Sequence, residues 1–72
     1  MNKDIITDYL DKVFAWSLKR TEDYQKAEEL TQQIILAVLE SLPDLQNEDA
    51  FHGWLWSIAN NTYKNWLYQD KK

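Results

Sequence analysis

The side chains best suited to chemistry in this sequence are few. His52 is the single histidine, and no acidic residue follows it three or four positions later. The sequence contains no cysteine, no glycine-rich phosphate loop and no nucleophile motif. Glu28, Glu29 and Gln32 form a carboxylate and amide cluster, but no histidine joins them at the spacing that a di-metal helical bundle uses. We therefore predict a surface histidine, solvated carboxylates, no metal site, no cofactor and no enzymatic activity.

A second stretch, near the C-terminus, combines aromatic, amide and basic side chains. Outside the apolar stripe of a predicted helix it carries Trp56, Asn60, Tyr63, Lys64 and Leu67. Aromatic rings stack on unpaired bases, and cations contact phosphates, so these types are typical of a surface for single-stranded nucleic acid. The alternative is that Trp56 and Leu67 only flank a wide core. The residues alone do not choose between the two.

The helix on which the rest of the chain is organised is predicted between Ala27 and Leu42. Its apolar positions recur at helical spacing, with Thr31 filling one gap; they are Ala27, Leu30, Ile34, Ile35, Val38, Leu39 and Leu42. The opposite face reads Glu29, Gln32, Gln33, Leu36 and Glu40. Because one side of so amphipathic a helix must be buried, the polar side is left for another purpose. Leu36 interrupts that polar row.

Two further helices are predicted on either side of it. The first, from about residue 4 to 20, has a stripe made of Ile6, Tyr9, Leu10, Val13, Phe14 and Ser17. A tight connection at Thr21–Asp23 follows, where Thr21 and Asp23 can cap the second helix, about 24–42, which Pro43 ends. After a loop from Pro43 to Asp49, in which Asn47 or Asp49 can act as cap, the third helix covers about 48–69. Its apolar face consists of Phe51, Trp54, Leu55, Ile58, Ala59, Thr62 and Trp66. The pattern predicts an all-α, three-helix bundle.

Length and charge limit the classes of function. Seventy-two residues with no cysteine make at most one domain, held by apolar burial without disulfides. No apolar run approaches the roughly 20 residues that span a membrane, and the N-terminus lacks the apolar segment of a signal peptide, so we predict a cytoplasmic protein with no membrane contact. Residues 21–50 hold eight acids against one lysine, a balance of −7, whereas residues 51–72 have a balance of +2. The last segment can therefore meet phosphates, whereas the middle segment is a poor candidate for that contact.

Two strings on consecutive predicted helices resemble a known family. Residues 27–35, AEELTQQII, resemble the A-[ED]-D-L-x-Q-E-x-F signature of region 2 in the sigma-70 family of bacterial transcription initiation factors. Residues 51–61, FHGWLWSIANN, resemble the F-x-x-W-L-x-x-I-A-R-N signature of the same region. The match is closest to the extracytoplasmic-function branch. The resemblance implies one region 2 domain over residues 1–72, with the three-helix fold of that region.

The resemblance also implies partners and sites. In the family, one helix docks on the clamp helices of the RNA polymerase β′ subunit, and Glu29, Gln32 and Gln33 fall at those docking positions, with Leu36 extending the face. The next loop and helix open the promoter −10 element and hold its single strand. Residues 43–49 fall where the flipped base is captured. The predicted DNA-binding residues, on or beside the strand-opening helix, are Trp54, Trp56, Asn60, Asn61, Tyr63 and Lys64. An anti-sigma factor is a further partner that the resemblance allows.

Departures from the family pattern weaken the DNA assignment. Gln33 replaces an acid, Asn60 replaces an arginine, and the tail after Asn61 is not basic. The loop carries Asp44, Glu48 and Asp49, which repel a phosphate backbone. Polymerase docking is therefore better supported than promoter contact, and the alternative is a sigma-like regulatory protein that keeps a protein contact but has lost DNA reading. A helical interaction domain, or an enzyme fragment, with accidental motif similarity is a third alternative.

The sequence holds no second, helix-turn-helix domain of the kind that family members use for the −35 element. Whether the chain is a fragment of a longer sigma factor or a standalone remnant is left open.

Overall fold

Between residues 3 and 70, the chain folds into three α-helices joined by one tight turn and one short loop. The computed structural model describes the backbone of residues 3–70 and the side chains of residues 7–69. The helices are α1 (Lys3–Thr21), α2 (Tyr24–Ser41) and α3 (Phe51–Asp70), and two single-turn 3₁₀ helices lie between α2 and α3 at Leu42–Asp44 and Glu48–Ala50. No strand occurs between residues 3 and 70. The predicted all-α fold with three helices is confirmed.

The turn between α1 and α2 is closed by local hydrogen bonds. Glu22 adopts a left-handed backbone (φ 53°), and its N–H donates to the Leu18 carbonyl at 2.9 Å, which ends α1. A non-glycine residue in this region costs about 1 kcal/mol, so the turn carries strain. Asp23 is extended and its carboxylate accepts from the Lys26 N–H at 3.1 Å. The predicted capping of α2 by Asp23 is confirmed.

The connection between α2 and α3 is more regular than the loop expected there. Leu42 belongs to the first 3₁₀ turn and not to α2, because Pro43 cannot donate the next helical hydrogen bond. Asn47 is extended and its side-chain oxygen accepts from the Asp49 N–H at 2.9 Å, so Asn47, and not Asp49, caps the turn that leads into α3. The predicted start of the third helix at residue 48 falls on this turn, and the α-helix itself begins at Phe51.

The core lies along α2, which packs against both other helices. Its cluster of buried hydrophobic residues consists of Val13 from α1, Leu30, Ile34 and Val38 from α2, and Phe51, Leu55, Ala59 and Trp66 from α3. Leu10 and Leu39 were expected in the core but are 43% and 46% exposed. The neighbouring helices cover only part of the apolar face of α1 and of α2. The expected burial of Ile6 lies outside the described side chains.

None of the helices within residues 3–70 has the length and apolar character needed to cross a membrane.

Candidate protein and nucleic-acid interfaces

The outward face of α2 carries the four residues predicted to bind polymerase. Glu29, Gln32 and Leu36 are exposed and Gln33 is half-buried. Their spacing of three, four and seven residues places them on one side of the helix. Leu36 is 58% exposed, and Leu39, one turn further along, is 46% exposed. The spacing of Leu39 predicted a core position, but the residue is partly exposed. Together with Leu36 it forms a small apolar patch on the otherwise polar face of α2.

A groove between α1 and α2 runs beside this face. It has a volume of about 360 Å³ and is lined by Leu10, Asp11, Phe14, Tyr24, Glu28, Thr31 and Gln32. The Phe14 and Tyr24 rings meet edge-on, with centroids 5.1 Å apart. We call this the α1–α2 groove. Because Gln32 belongs both to the groove and to the outward face of α2, the two form one continuous surface.

The six predicted DNA-binding residues of α3 do not form one surface. At about 100° per residue, Trp54 and Trp56 point in directions about 160° apart around the helix, whereas Trp54 and Asn61 are only about 20° apart. Trp56, Asn60 and Tyr63 follow the side that faces α1. Trp54 and Asn61 lie on the other side of the buried stripe, where the Trp54 ring packs 5.7 Å from that of Phe51. Lys64 is exposed between the two sides.

The α1-facing side of α3 is an aromatic contact. The Trp16 ring of α1 lies 5.8 Å from Trp56 and 5.7 Å from Tyr63, and Tyr63 stacks on Trp66 at 6.4 Å. The Asn60 side-chain N–H donates to the Trp56 carbonyl at 3.0 Å. Trp56 and Tyr63 are half-buried, so their rings flank the core and still reach the surface.

His52 is an exposed histidine, as its sequence context predicts, but it is not isolated. Its Nδ1 lies 2.8 Å from the Tyr9 hydroxyl, which joins the first turn of α3 to α1. The two rings are tilted, with centroids 5.9 Å apart. Among the described residues, no group of three or more histidine and acidic side chains is arranged to hold a metal ion.

A second groove lies where α1 meets α3, and most of its residues were not singled out from the sequence. It has a volume of about 770 Å³ and is lined by Lys12, Ala15, Trp16, Leu18, Lys19, Arg20 and Trp56. The Arg20 guanidinium lies 3.8 Å from the centroid of the Trp16 ring and donates to the Trp16 carbonyl at 3.2 Å. We call this the α1–α3 groove. Lys12, Trp16, Lys19 and Arg20 recur at helical spacing, a signal that could have identified this face in advance.

Comparison with known proteins identifies the family. The family model described as Sigma-70 region 2 matches residues 5–72. The chain belongs to the sigma-70 region 2 family. The resemblance predicted from the two signature strings is confirmed, and those strings lie on α2 and on the first half of α3.

Two curated relatives of this region 2 domain are sigma factors. It is 26% identical over 70 residues to the RNA polymerase sigma factor YlaC of Bacillus subtilis, covering 97% of the chain and 40% of that protein. It is 29% identical over 63 residues to the RNA polymerase sigma-H factor of Pseudomonas aeruginosa, covering 88% of the chain and 33% of that protein. The chain thus spans well under half the length of either relative. No solved structure matches it.

Proposed function

We propose that this region 2 domain acts in transcription initiation by docking on RNA polymerase through α2 and by helping to hold the single strand of the promoter −10 element through α3. Both relatives are named RNA polymerase sigma factors. The polymerase element that α2 is expected to meet is the pair of clamp helices of the β′ subunit.

The observation that carries the docking proposal is the exposure of Leu36. It is 58% exposed in the middle of α2, with Glu29, Gln32 and Gln33 within two turns on the same side. Protein interfaces usually have an apolar centre and a polar rim. Leu36 fits the centre, and the polar side chains around it fit the rim. Complete burial of a leucine side chain contributes about 1.5–3 kcal/mol. Burial of the exposed part of Leu36 against polymerase can therefore contribute part of that amount to the free energy of binding.

Titration of the isolated β′ clamp coiled coil with this domain, followed by calorimetry at moderate salt, tests the docking face. We expect saturable binding, and the Gln32→Ala/Leu36→Asp variant should bind on the order of 30-fold more weakly or worse, because an acid at an interface centre removes apolar contact and adds an unpaired charge. Gln69→Ala/Tyr68→Asp is the matched control, since both residues are exposed on α3 and the same kinds of change are made there. Equal binding by the two variants, with helicity intact, would reject the α2 face.

The proposed DNA contact is supported by the residue types on α3. Unpairing a base costs a few kcal/mol, and stacking on an aromatic ring returns about 1–3 kcal/mol per base. Trp54, Trp56 and Tyr63 are half-buried, so each presents part of its ring. The domain carries few cations, and we therefore expect weak affinity for DNA in the absence of polymerase, with binding favoured at low salt.

A sigma-like regulator that binds a protein but not DNA is the second candidate. It is favoured by the exposed carboxylates of Asp44, Glu48 and Asp49, which lie in the segment between α2 and α3. Titration with single-stranded −10 DNA at low salt distinguishes the two. A change in tryptophan fluorescence supports DNA contact, and unchanged fluorescence supports the regulator.

A further inference from the structure

We infer that the α1–α3 groove is a second contact for single-stranded nucleic acid, in which Lys12, Lys19 and Arg20 hold phosphates while a base stacks beside Trp16 and Trp56. This inference rests on the proposed function, because it requires an opened strand to reach the domain. It extends the path of that strand from α3 onto α1, an element to which the sequence assigned no binding role.

The distribution of charge is the first argument. The chain has eight lysines and arginines and a net charge of −4, yet three of those eight cations line this one groove. No carboxylate lines it among residues 7–69, whereas Asp11 and Glu28 line the α1–α2 groove. Because the rest of the molecule is acidic, a polyanion meets less repulsion at the α1–α3 groove than at the α2 surface.

The geometry of Arg20 is the second argument. Its guanidinium lies over the Trp16 ring at 3.8 Å and is fixed there by its hydrogen bond to the Trp16 carbonyl. A guanidinium is itself a planar group on which a base can stack, and it keeps further N–H donors for a phosphate. Since the guanidinium already makes these two contacts within α1, less side-chain entropy is lost when a ligand binds.

Continuity with α3 is the third argument. Trp56 lines the groove and also belongs to the α1-facing side of α3, where Asn60 bonds to its carbonyl. A strand lying along that side passes directly from Asn60 to Trp56 and on to the cations of α1. The Trp54 side of α3 is separated from this path by the buried stripe, so the groove is a distinct contact.

The flat surfaces favour a nucleic acid over an acidic protein segment. An acidic peptide would use the three cations, but the guanidinium on Trp16 and the ring of Trp56 offer more to a planar base than to a carboxylate side chain. A strand without bases separates the two ligands, because it keeps the phosphates and loses the stacking.

The test is fluorescence anisotropy of a labelled 12-nucleotide single-stranded DNA with the 72-residue chain at low salt. We expect Lys19→Gln/Arg20→Gln to weaken binding about tenfold and to reduce the magnitude of the salt slope by about 1.4, since each lost phosphate contact on a single strand contributes roughly 0.7. Lys26→Glu, on α2, changes the net charge by the same amount and is the matched control, expected to bind much as the unchanged chain does. Equal weakening by the two variants would overturn the inference.

An abasic strand of the same length is the second arm. We expect it to bind at least about fivefold more weakly than the normal strand, and the Lys19→Gln/Arg20→Gln change should reduce this discrimination. Equal affinity for both strands, or displacement of DNA by a polyglutamate peptide at matched charge, would overturn the inference in favour of an acidic protein ligand. Absence of any DNA binding by the unchanged chain would reject the DNA part of the proposed function together with this inference. If the unchanged chain binds DNA and both variants weaken that binding equally, the groove alone is rejected.

Discussion

The two sides of α1 are built differently. Toward α2, its buried residues are Val13 and Ser17, and α2 contributes Ala27 and Leu30; all four are 0% exposed. Toward α3, contact is made by large rings, most of them half-buried: Tyr9 meets Phe51 at 5.2 Å, and Trp16 meets Trp56 and Tyr63. Completely buried side chains of this kind allow close packing, whereas rings that meet edge-on or tilted leave open space between the helices.

The two grooves beside α1 differ in charge in the same way. The α1–α2 groove contains two carboxylates, and the α1–α3 groove contains three cations and two indoles. The difference indicates that one side of α1 maintains the fold and the other is available for a ligand. It also separates the proposed polymerase face, next to the α1–α2 groove, from the proposed nucleic-acid path.

The largest effect is expected from the closely packed side. Leu30→Ala should lower the free energy of unfolding by about 2–5 kcal/mol, because it removes a completely buried side chain and leaves a cavity in a core that a small domain cannot easily rearrange. Urea denaturation followed by circular dichroism measures this. Leu39→Ala is the control on the same helix, and its 46% exposed side chain should cost about 1 kcal/mol or less. Equal losses for the two variants would contradict the assignment of the core.

A smaller effect of opposite sign is expected from Ser17→Ala. The Ser17 hydroxyl is fully buried and has no hydrogen-bond partner among the described residues. Its removal should stabilise the fold by about 1 kcal/mol, since an unsatisfied buried hydroxyl is destabilising and alanine is the better helix former.

The control for this change is Ser57→Ala, at an exposed position of α3, where only the difference in helix propensity, about 0.5 kcal/mol, should appear. Thermal unfolding of both variants gives the comparison. A loss of stability in Ser17→Ala would show that the hydroxyl has a hydrogen-bond partner in solution and that its burial does not destabilise the contact between α1 and α2.

The smallest effect is expected on the aromatic side. Tyr9→Phe removes the 2.8 Å hydrogen bond to His52 and keeps the ring contact with Phe51, so the free energy of unfolding should fall by only about 0.5 kcal/mol. Repeating the change in a His52→Ala background isolates the bond, and the effect should then vanish. A loss of about 2 kcal/mol or more would show that the α1–α3 contact stabilises the fold as strongly as the α1–α2 contact.

The sequence was sufficient to predict the helices because their apolar spacing, Asp23 and Pro43 are local signals. It was insufficient where the number of neighbours mattered: Leu10 and Leu39 match the apolar pattern, but α1 and α2 have too few partners to cover them. The apolar spacing of a helix shows which face is buried and not how much of that face another helix will reach.

Contacts between distant residues were the part that the sequence could not reveal. Tyr9 and His52 are 43 residues apart, and the α1–α3 groove combines cations of α1 with an indole of α3. No periodicity within one helix specifies which side of it a second helix will meet. For the same reason, the sequence did not show that the six α3 residues predicted to bind DNA are divided between two sides of that helix.

The most direct test is one crossed titration, in which Gln32→Ala/Leu36→Asp and Lys19→Gln/Arg20→Gln are each measured against the β′ clamp coiled coil and against single-stranded DNA. If the two sides have separate partners, the first variant loses the coiled coil and keeps the DNA, and the second loses the DNA and keeps the coiled coil. If either folded variant loses both ligands, the two binding faces are not separate. If both variants keep both ligands, neither face binds as proposed. Each of these results would contradict the account.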